Sequence, residues 1–244
     1  MIVDVHAHLD HKQFDKDRDE VIKRAENILI VNNGLNSETN RKTLELSSKY
    51  KNVKAALGLY PTDALKIKNV DEELDFIRKN KDKIVAVGEV GLDYYWEKQK
   101  KKEEKEIFQK IIDLAEEIKK PFIVHSREAE LDVIEMLESS KIKKVVLHCF
   151  GSLELVKRAV DNGFFLSIPA NVVFSSHFQK IVEMVELRNL LTETDSPWLS
   201  PFRGKRNEPS FVEKGLEKIA KIKNIPKEEA EEEIWNNAKK LFDF

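Results

Sequence analysis

The chain has 244 residues, of which 42 are lysine or arginine and 44 are aspartate or glutamate, for a formal net charge of −2. This balance excludes a strong positive field over the whole surface, so any contact with nucleic acid is expected from a local patch. The single cysteine, Cys149, excludes an internal disulfide, and the lack of an apolar membrane-spanning run or a signal segment predicts a cytoplasmic protein.

Short apolar runs rich in β-branched residues alternate along the chain with longer, charge-rich stretches. The runs predict eight buried strands, at residues 2–5, 28–31, 53–59, 84–87, 121–124, 145–147, 164–168 and 190–192. The stretches between them predict helices, at residues 37–50, 70–80, 97–119, 128–139, 153–161 and 176–187. Two further helices are expected after the last strand, at residues 209–223 and 226–241.

Strands separated by helices favour a parallel sheet, and eight such strands close naturally into a barrel. We therefore predict an α/β fold, a (β/α)8 TIM barrel of the metallo-dependent hydrolase type. No linker or low-complexity segment divides the sequence, so residues 1–244 are expected to form one domain. An open, doubly wound sheet is the alternative, because a strand count from one sequence carries an error of about one or two.

Histidines and carboxylates stand at the ends of five predicted strands. The first strand ends in two histidines whose side chains share one side of the extended chain, because side chains in a strand repeat with period two. In a (β/α)8 barrel the strand ends meet at the C-terminal face, where active sites lie. The residues of this set are His6, His8, Glu89, His125, His148 and Asp195. They predict a metal site, whereas His11 and His177 fall in loop or helix and are expected on the surface.

Six ligands exceed the three protein ligands that one catalytic zinc keeps, and they suit two divalent ions about 3.5–4 Å apart that share a carboxylate. The assignment gives each ion its own ligands and makes Glu89 the bridge: His6, His8 and Asp195 hold the first ion, His125 and His148 the second. Mixed imidazole and carboxylate ligands suit Zn, Mn, Fe or Ni and are less natural for Mg, which prefers oxygen.

Six blocks of the sequence resemble the TatD-family metal-dependent hydrolases, in the family's order and over nearly the whole chain. The blocks are residues 4–9 (DVHAHL), 88–93 (GEVGLD), 121–127 (PFIVHSR), 148–150 (HCF), 193–197 (ETDSP) and 203–209 (RGKRNEP). The resemblance implies a TIM barrel with two metal sites on the residues named above. It also implies deoxyribonuclease activity, often as a 3′–5′ exonuclease, although some relatives resemble D-aminoacyl-tRNA deacylases, which also cut an ester on a nucleic acid.

One block departs from the family pattern. Many members carry a histidine in a Gly-x-His-Pro block after the third strand, where residues 58–61 of this chain are GLYP. Tyr60 is a poor metal ligand, but it can hydrogen-bond to a substrate or stack on a base, and we predict that it contacts substrate. Broader amidohydrolase-like barrels commonly carry a metal-bridging lysine carbamate at the end of strand four. Glu89 stands there in this chain, which favours the TatD branch.

Cations that follow the metal-site strands are expected to hold phosphate oxygens, although a solvated loop is the alternative interpretation. These residues are Arg127, Arg203, Lys205 and Arg206. Trp96 and Trp198 lie near the expected mouth, where a tryptophan either stacks on a base or packs against a helix. Cys149 is interpreted as a packed thiol, because its neighbour His148 is committed to metal and no separate base is evident.

The predicted function is a metal-dependent deoxyribonuclease that acts on phosphodiester bonds by a two-metal mechanism. Asp195 is expected to act as the general base and Glu89 to bridge the ions. The cofactors are two divalent ions (Zn, Mn, Mg, Ni or Fe) and the substrate partner is DNA. A small-molecule amidohydrolase would use the same barrel without the basic loop. A non-catalytic nucleic-acid-binding protein would need the loop without the complete ligand set.

Overall fold

Eight parallel strands hydrogen-bond in chain order and are separated by helices in the computed structural model, which describes residues 1–242 and 244. The strands are β1 (Ile2–Ala7), β2 (Ile28–Asn33), β3 (Val53–Leu57), β4 (Ile84–Asp93), β5 (Phe122–Arg127), β6 (Val145–His148), β7 (Phe165–Pro169) and β8 (Leu190–Glu193). This arrangement confirms the predicted (β/α)8 barrel and excludes the open, doubly wound alternative.

The sheet curls back on itself because the segment that follows β8 returns to the end of β1. The backbone N–H of His8 donates to the carbonyl of Ser196 at 2.9 Å, and the N–H of Asp195 donates to the carbonyl of His6 at 2.8 Å. These two bonds place two residues from the start of the chain beside two that lie almost 190 positions later. The closure of the barrel therefore brings the predicted ligands of the first ion together.

A buried carboxylate strengthens this closure. Asp4 of β1 accepts the backbone N–H of Thr194 at 2.9 Å and its hydroxyl at 2.6 Å. Burial raises the pKa of Asp4 to about 8, against the lowering effect of these hydrogen bonds. Asp4 thus links the first strand of the barrel to the segment after the last one.

Helices cover the outside of the barrel. They are α1 (Arg18–Arg24), α2 (Ser37–Lys49), α3 (Pro61–Ala64), α4 (Val70–Lys79), α5 (Lys101–Ile118), α6 (Glu130–Glu138), α7 (Val156–Asp161), α8 (Ser176–Met184), α9 (Val212–Lys223) and α10 (Lys227–Phe242). The short helices α1 and α3 lie outside the predicted elements, because so few residues show no full amphipathic repeat. Among the described residues no helix is both long and apolar enough to cross a membrane.

Most strands run past their predicted ends. β4 was expected to end at residue 87 and continues to Asp93, while β1, β5 and β6 each include the histidine that was expected to follow them. An apolar pattern ends at the first polar side chain, whereas the upper layers of this barrel are lined with polar residues. Four of the six predicted ligands, His6, Glu89, His125 and His148, therefore sit on sheet backbone held by ladder hydrogen bonds, which positions them more rigidly than loops would. His8 directly follows β1, and Asp195 lies two residues after β8.

Gly91 lets β4 and β5 approach at the level of these ligands. Its φ is +142°, and a Cβ built on it would lie only 2.0 Å from the carbonyl oxygen of His125, its partner in the strand pairing. An L-residue is strained in this conformation and would also push His125 away. Gly163, by contrast, has a φ of +79° and no atom within 4 Å of a built Cβ.

The two glycines give a matched test. Gly91→Ala is expected to lower the free energy of unfolding by more than about 3 kcal/mol, because backbone strain of about 1–3 kcal/mol adds to the clash with β5. Gly163→Ala is expected to cost only about 1–2 kcal/mol, the cost of a left-handed L-residue in open space. Urea unfolding of both variants measures the difference. Equal losses would show that the approach of β4 to β5 is not tight.

Candidate metal centre

All six predicted ligand side chains meet at the C-terminal end of the barrel. β1 supplies His6, and His8 directly follows it. The strands β4, β5 and β6 supply Glu89, His125 and His148, and the segment after β8 supplies Asp195. The carboxylate of Asp195 is the most exposed, at 16% of its side-chain surface, while the bridging candidate Glu89 is only 4% exposed. Solvent therefore reaches the set most readily at Asp195.

The first cluster gathers around one oxygen of Glu89. The Nε2 atoms of His6 and His8 are 3.0 Å apart, and the Oε2 atom of Glu89 lies 3.2 and 3.3 Å from them. The Oδ1 atom of Asp195 lies 3.8 Å from the first nitrogen and 3.5 Å from the second. Four potential ligand atoms from three parts of the chain thus surround one point.

The second cluster gathers around the other oxygen of the same carboxylate. The Nδ1 atom of His125 and the Nε2 atom of His148 are 3.3 Å apart. The Oε1 atom of Glu89 lies 3.1 Å from the former and 3.3 Å from the latter. The two clusters are in contact, since the rings of His6 and His148 stack with their centroids 3.9 Å apart.

The spacing of these atoms fits a metal ion. Ligands bound at about 2.1 Å in a tetrahedron lie about 3.4 Å from one another. The observed separations in both clusters range from 3.0 Å to 3.8 Å. Hydrogen bonds made by the opposite ring nitrogens also support this use of the imidazoles. His8 donates from Nδ1 to the carbonyl of Asn33 at 2.9 Å, which orients the ring so that Nε2 faces the cluster.

The charges inside the cluster favour a bound cation. Burial of Glu89 opposes its ionisation, but the charges of His6 and His148 outweigh burial and hold its pKa well below the usual range. Burial lowers the pKa of His6 to about 4. Burial acts the same way on His8, but hydrogen bonds to Asp195 and Glu89 overcome it and raise its pKa to about 10. The Glu89 carboxylate is therefore ionised at neutral pH and attracts positive charge into the cluster.

Comparison with known proteins places this architecture in a family. The family model described as "TatD related DNase" matches residues 3–243. The uncharacterized metal-dependent hydrolase MJ1582 of Methanocaldococcus jannaschii is 40% identical, over 98% of this chain and 96% of its own length. Human deoxyribonuclease TATDN3 is 34% identical, over 99% of this chain and 94% of its own. The crystal structure of the TatD homologue YJJV of Escherichia coli superposes with a TM-score of 0.92 at 26% identity, covering 100% and 98% of the two chains. The chain belongs to the TatD family.

Family membership confirms the resemblance that the six sequence blocks predicted. It also confirms the predicted enzyme class, a metal-dependent hydrolase. The fold of the Escherichia coli TatD homologue extends over the whole chain, so both candidate clusters lie within the shared barrel.

Asp93 is a site residue of this TatD-family chain that the sequence patterns did not assign. Its buried carboxylate accepts the hydroxyl of Tyr60 at 2.6 Å and the Nε2–H of His125 at 3.1 Å. It also accepts the backbone N–H groups of Tyr95 and Trp96, both at 3.0 Å. A carboxylate behind a ligating imidazole fixes its orientation and tautomer. The sequence did indicate Asp93, because it is the last residue of the block 88–93 and lies four positions after Glu89, which is the spacing of side chains on one side of a strand.

Tyr60, the residue that departs from the family pattern, takes part in these contacts. Its hydroxyl binds the carboxylate that orients His125, and its ring lies 4.9 Å from that imidazole. Tyr60 is therefore placed beside the second cluster without supplying a ligand atom to it.

A second buried carboxylate supports His148. The Oε2 atom of Glu193 lies 3.5 Å from His148 Nδ1 and accepts the hydroxyl of Ser167 at 2.5 Å. The other oxygen accepts both the backbone N–H and the thiol of Cys149, at 3.1 and 2.8 Å. Burial raises the pKa of Cys149 well above its usual range, which agrees with its interpretation as a packed thiol and not a nucleophile.

The expected phosphate-binding cations occupy two different situations. Arg127 lies over the ring of Tyr95 at 3.9 Å, and Arg203 lies 5.1 Å from the ring of Phe174. Both arginines are exposed, and each contacts an aromatic ring. Lys205 is also exposed.

Arg206 differs from the other three rim cations. Its guanidinium binds both carboxylate oxygens of Asp17, at 2.9 and 2.5 Å, and donates to the carbonyl of Gln13. These bonds fasten the basic loop to the segment after β1, so this cation already has partners within the chain.

The remaining residues singled out in the sequence lie outside the ligand clusters. Trp198 is 42% exposed, and its ring contacts those of His8 and His11, with centroids 5.4 and 5.1 Å away. His177 was expected on the surface but is partly buried, because its Nε2 donates to the carbonyl of Phe150 at 3.2 Å.

The hydrogen bonds of Asp93 predict a specific defect in Asp93→Asn. The carboxylate accepts hydrogen bonds with both oxygens, whereas the amide of asparagine has only one accepting oxygen. His125 therefore loses its fixed orientation, and metal affinity is expected to fall about 10–100-fold. Asp132→Asn is the matched control, since Asp132 accepts the hydroxyl of Tyr94 away from the ligands. Calorimetric titration with Mn²⁺ or Zn²⁺ measures the affinities. The interpretation is wrong if both variants bind metal like the unmodified chain.

Proposed function

We propose that this chain is a deoxyribonuclease that hydrolyses phosphodiester bonds of DNA with two divalent ions. The observation that carries the proposal is the position of Glu89. One of its oxygens faces His6 and His8, and the other faces His125 and His148. A carboxylate with a separate pair of imidazoles at each oxygen is suited to bridge two ions. The name of the human relative, a deoxyribonuclease, supports DNA as the substrate.

The ligand assignment from the sequence is retained in this proposal. His6, His8 and Asp195 would hold the first ion, His125 and His148 would hold the second, and Glu89 would bridge them. Four imidazoles among six ligands suit Zn, Mn, Fe or Ni better than Mg.

Two such ions, when bound, polarise the scissile phosphate and lower the pKa of a water molecule toward neutrality. Asp195 is the proposed general base, because it is the most exposed carboxylate of the set and stands at the open side of the first cluster. Its backbone donates to the carbonyl of His6 at 2.8 Å and accepts the N–H of Trp198 at 2.9 Å. These bonds hold the carboxylate where it can take a proton from the attacking water.

The exposed cations around the C-terminal end of the barrel favour a polyanionic substrate. Arg127, at the end of β5, and Arg203 and Lys205, in the loop after β8, are exposed cations, and phosphate oxygens are bound by such groups. Arg206 is proposed to shape the basic loop through Asp17. A small neutral substrate would leave the exposed cations without a partner. Cleavage from the 3′ end and a cytoplasmic location remain predictions of the sequence, and D-aminoacyl-tRNA is the alternative ester substrate.

The central test is hydrolysis of end-labelled DNA by the metal-loaded protein, with D-aminoacyl-tRNA in parallel. We expect DNA cleavage that is abolished by a chelator. Asp195→Asn is expected to lower kcat by about 10²–10⁴-fold, because it removes the general base. Gel analysis of the labelled products measures the rate and shows the end from which cleavage proceeds.

Elemental analysis of the same preparations controls for the metals. The unmodified protein is expected to hold two ions per chain and Glu89→Gln fewer, because the bridging charge is lost. Full activity with one ion, or deacylation without DNA cleavage, would contradict the proposal. A loss below tenfold in Asp195→Asn would assign the base to another residue.

The rim cations predict a dependence on salt. Each phosphate contact on a single strand contributes about −0.7 to the slope of log affinity against log salt concentration. The double variant Arg203→Ala, Lys205→Ala is expected to flatten this slope by about 1.4 and to weaken binding for all sequences alike. Lys81→Ala with Lys83→Ala removes the same charge from exposed positions before β4, at the opposite end of the barrel. Parallel salt curves for all three proteins would exclude the basic loop from substrate binding.

A further inference from the structure

An open cavity of about 440 Å³ adjoins the metal centre on the side of the second cluster. Its walls come from the segment after β3 and from the loop between β4 and α5, and they include Tyr60, Leu65, Lys66, Trp96 and Lys100. The cavity begins one side chain away from a predicted ligand, because the hydroxyl of Tyr60 lies 3.3 Å from the Nε2 atom of His125. A larger cavity, of about 630 Å³, lies near the N-terminal ends of β5 and β6, far from this chemistry.

One wall of the cavity is an exposed aromatic surface on a restrained backbone. Trp96 is 65% exposed, the largest exposed fraction among the bulky hydrophobic residues described. Its backbone N–H is nevertheless bound by Asp93 at 3.0 Å, and its ring meets that of Tyr95 edge-on at 4.8 Å. Exposure of so large a ring has a hydration cost, whereas a ring held in place at a site mouth offers a stacking surface at a small entropy cost.

The rest of the cavity combines an apolar side with positive charge. Leu65 and the ring of Tyr60 supply apolar surface, and the exposed residues Lys66 and Lys100 supply two positive charges. Among the residues that the structure describes, Lys66 forms its ion pair with the partly exposed Asp63, at 3.1 Å, a contact that a phosphate can replace at little cost. Glu97 supplies one negative charge against these two cations.

We propose that this cavity is a nucleotide subsite, which holds the base and phosphate of the residue next to the scissile bond. The base stacks on Trp96 and against Leu65, and the phosphate contacts Lys66 and Lys100. The volume lies within the range of about 300–1,000 Å³ that small-molecule sites occupy. The proposal rests on the proposed nuclease function, and it adds where the chain contacts a base as well as the backbone.

The test uses the metal-loaded protein and short DNA strands whose 3′-terminal linkages are phosphorothioates that resist cleavage. One abasic residue is placed at each of the three 3′-terminal positions in turn, and fluorescence anisotropy measures the dissociation constants. For the unmodified protein, one abasic position is expected to weaken binding by about 5–100-fold, the worth of one base stacked on an aromatic ring. Trp96→Ala is expected to weaken binding of the intact strand by a similar factor and to lose sensitivity to that abasic position.

Two further variants make the test specific. Phe202→Ala removes another exposed aromatic residue of the rim, outside the cavity, and is expected to keep full sensitivity to the abasic position. Trp96→Phe retains a stacking ring and is expected to restore most of the lost affinity. The subsite is overturned if Trp96→Ala keeps the abasic sensitivity of the unmodified protein, or if Phe202→Ala abolishes it.

A parallel cleavage assay on unmodified DNA separates the two proposals. If the protein cleaves DNA but Trp96→Ala keeps the affinity and abasic sensitivity of the unmodified protein, the subsite is rejected and the nuclease function is not. Failure to bind any of the strands would reject both.

Discussion

The interaction on which the site depends is the contact of one buried carboxylate with four imidazoles. Glu89 is 4% exposed and lies within 3.3 Å of all four ring nitrogens that face it. An ionised carboxylate is costly to bury unless positive charge lies beside it. The cluster is therefore a place where the folded chain gains stability by taking up cations, and the neighbouring residues restrain it in that form.

The restraint comes from a layer of polar groups behind the ligands. Asn33 orients His8, Asp93 orients His125, and Glu193 lies behind His148. Most of these groups sit on strands or directly after them, where ladder hydrogen bonds hold the backbone. A site built on strand ends keeps its geometry better than one built on long loops. The apolar packing that stabilises the barrel lies below this polar layer and around it, between the strands and the surrounding helices.

Asp93 connects the chemistry of the centre to the surface of the mouth. The same carboxylate accepts hydrogen bonds from His125, from Tyr60 and from the backbone of Trp96. The predicted ligand His125 and the backbone of Trp96 are thus held by one carboxylate, so a displacement of one is expected to displace the other. In chains with a histidine in place of Tyr60 this link would have a different donor. The substitution therefore changes how the rim is attached to the second cluster while the ligand set is unchanged.

The sequence by itself determined the fold class and the residue types of the centre. Eight apolar runs with helices between them predict a closed parallel barrel, and the period-two geometry of strands places histidines such as His6 and His8 on one side. These features depend on local pattern and on the rule that parallel strands end at one edge. Strand ends were misplaced because the local pattern does not show that polar residues line the upper barrel.

Only the tertiary structure decided which atoms meet. It showed that Glu89 divides its two oxygens between separate pairs of histidines, that Asp93 stands behind one of them, and that Arg206 binds Asp17, a residue 189 positions away. Hydrogen bonds between residues so distant in the chain follow from how the strands and loops pack. No local pattern carries that information, because the distance between two side chains is set by every element that lies between them.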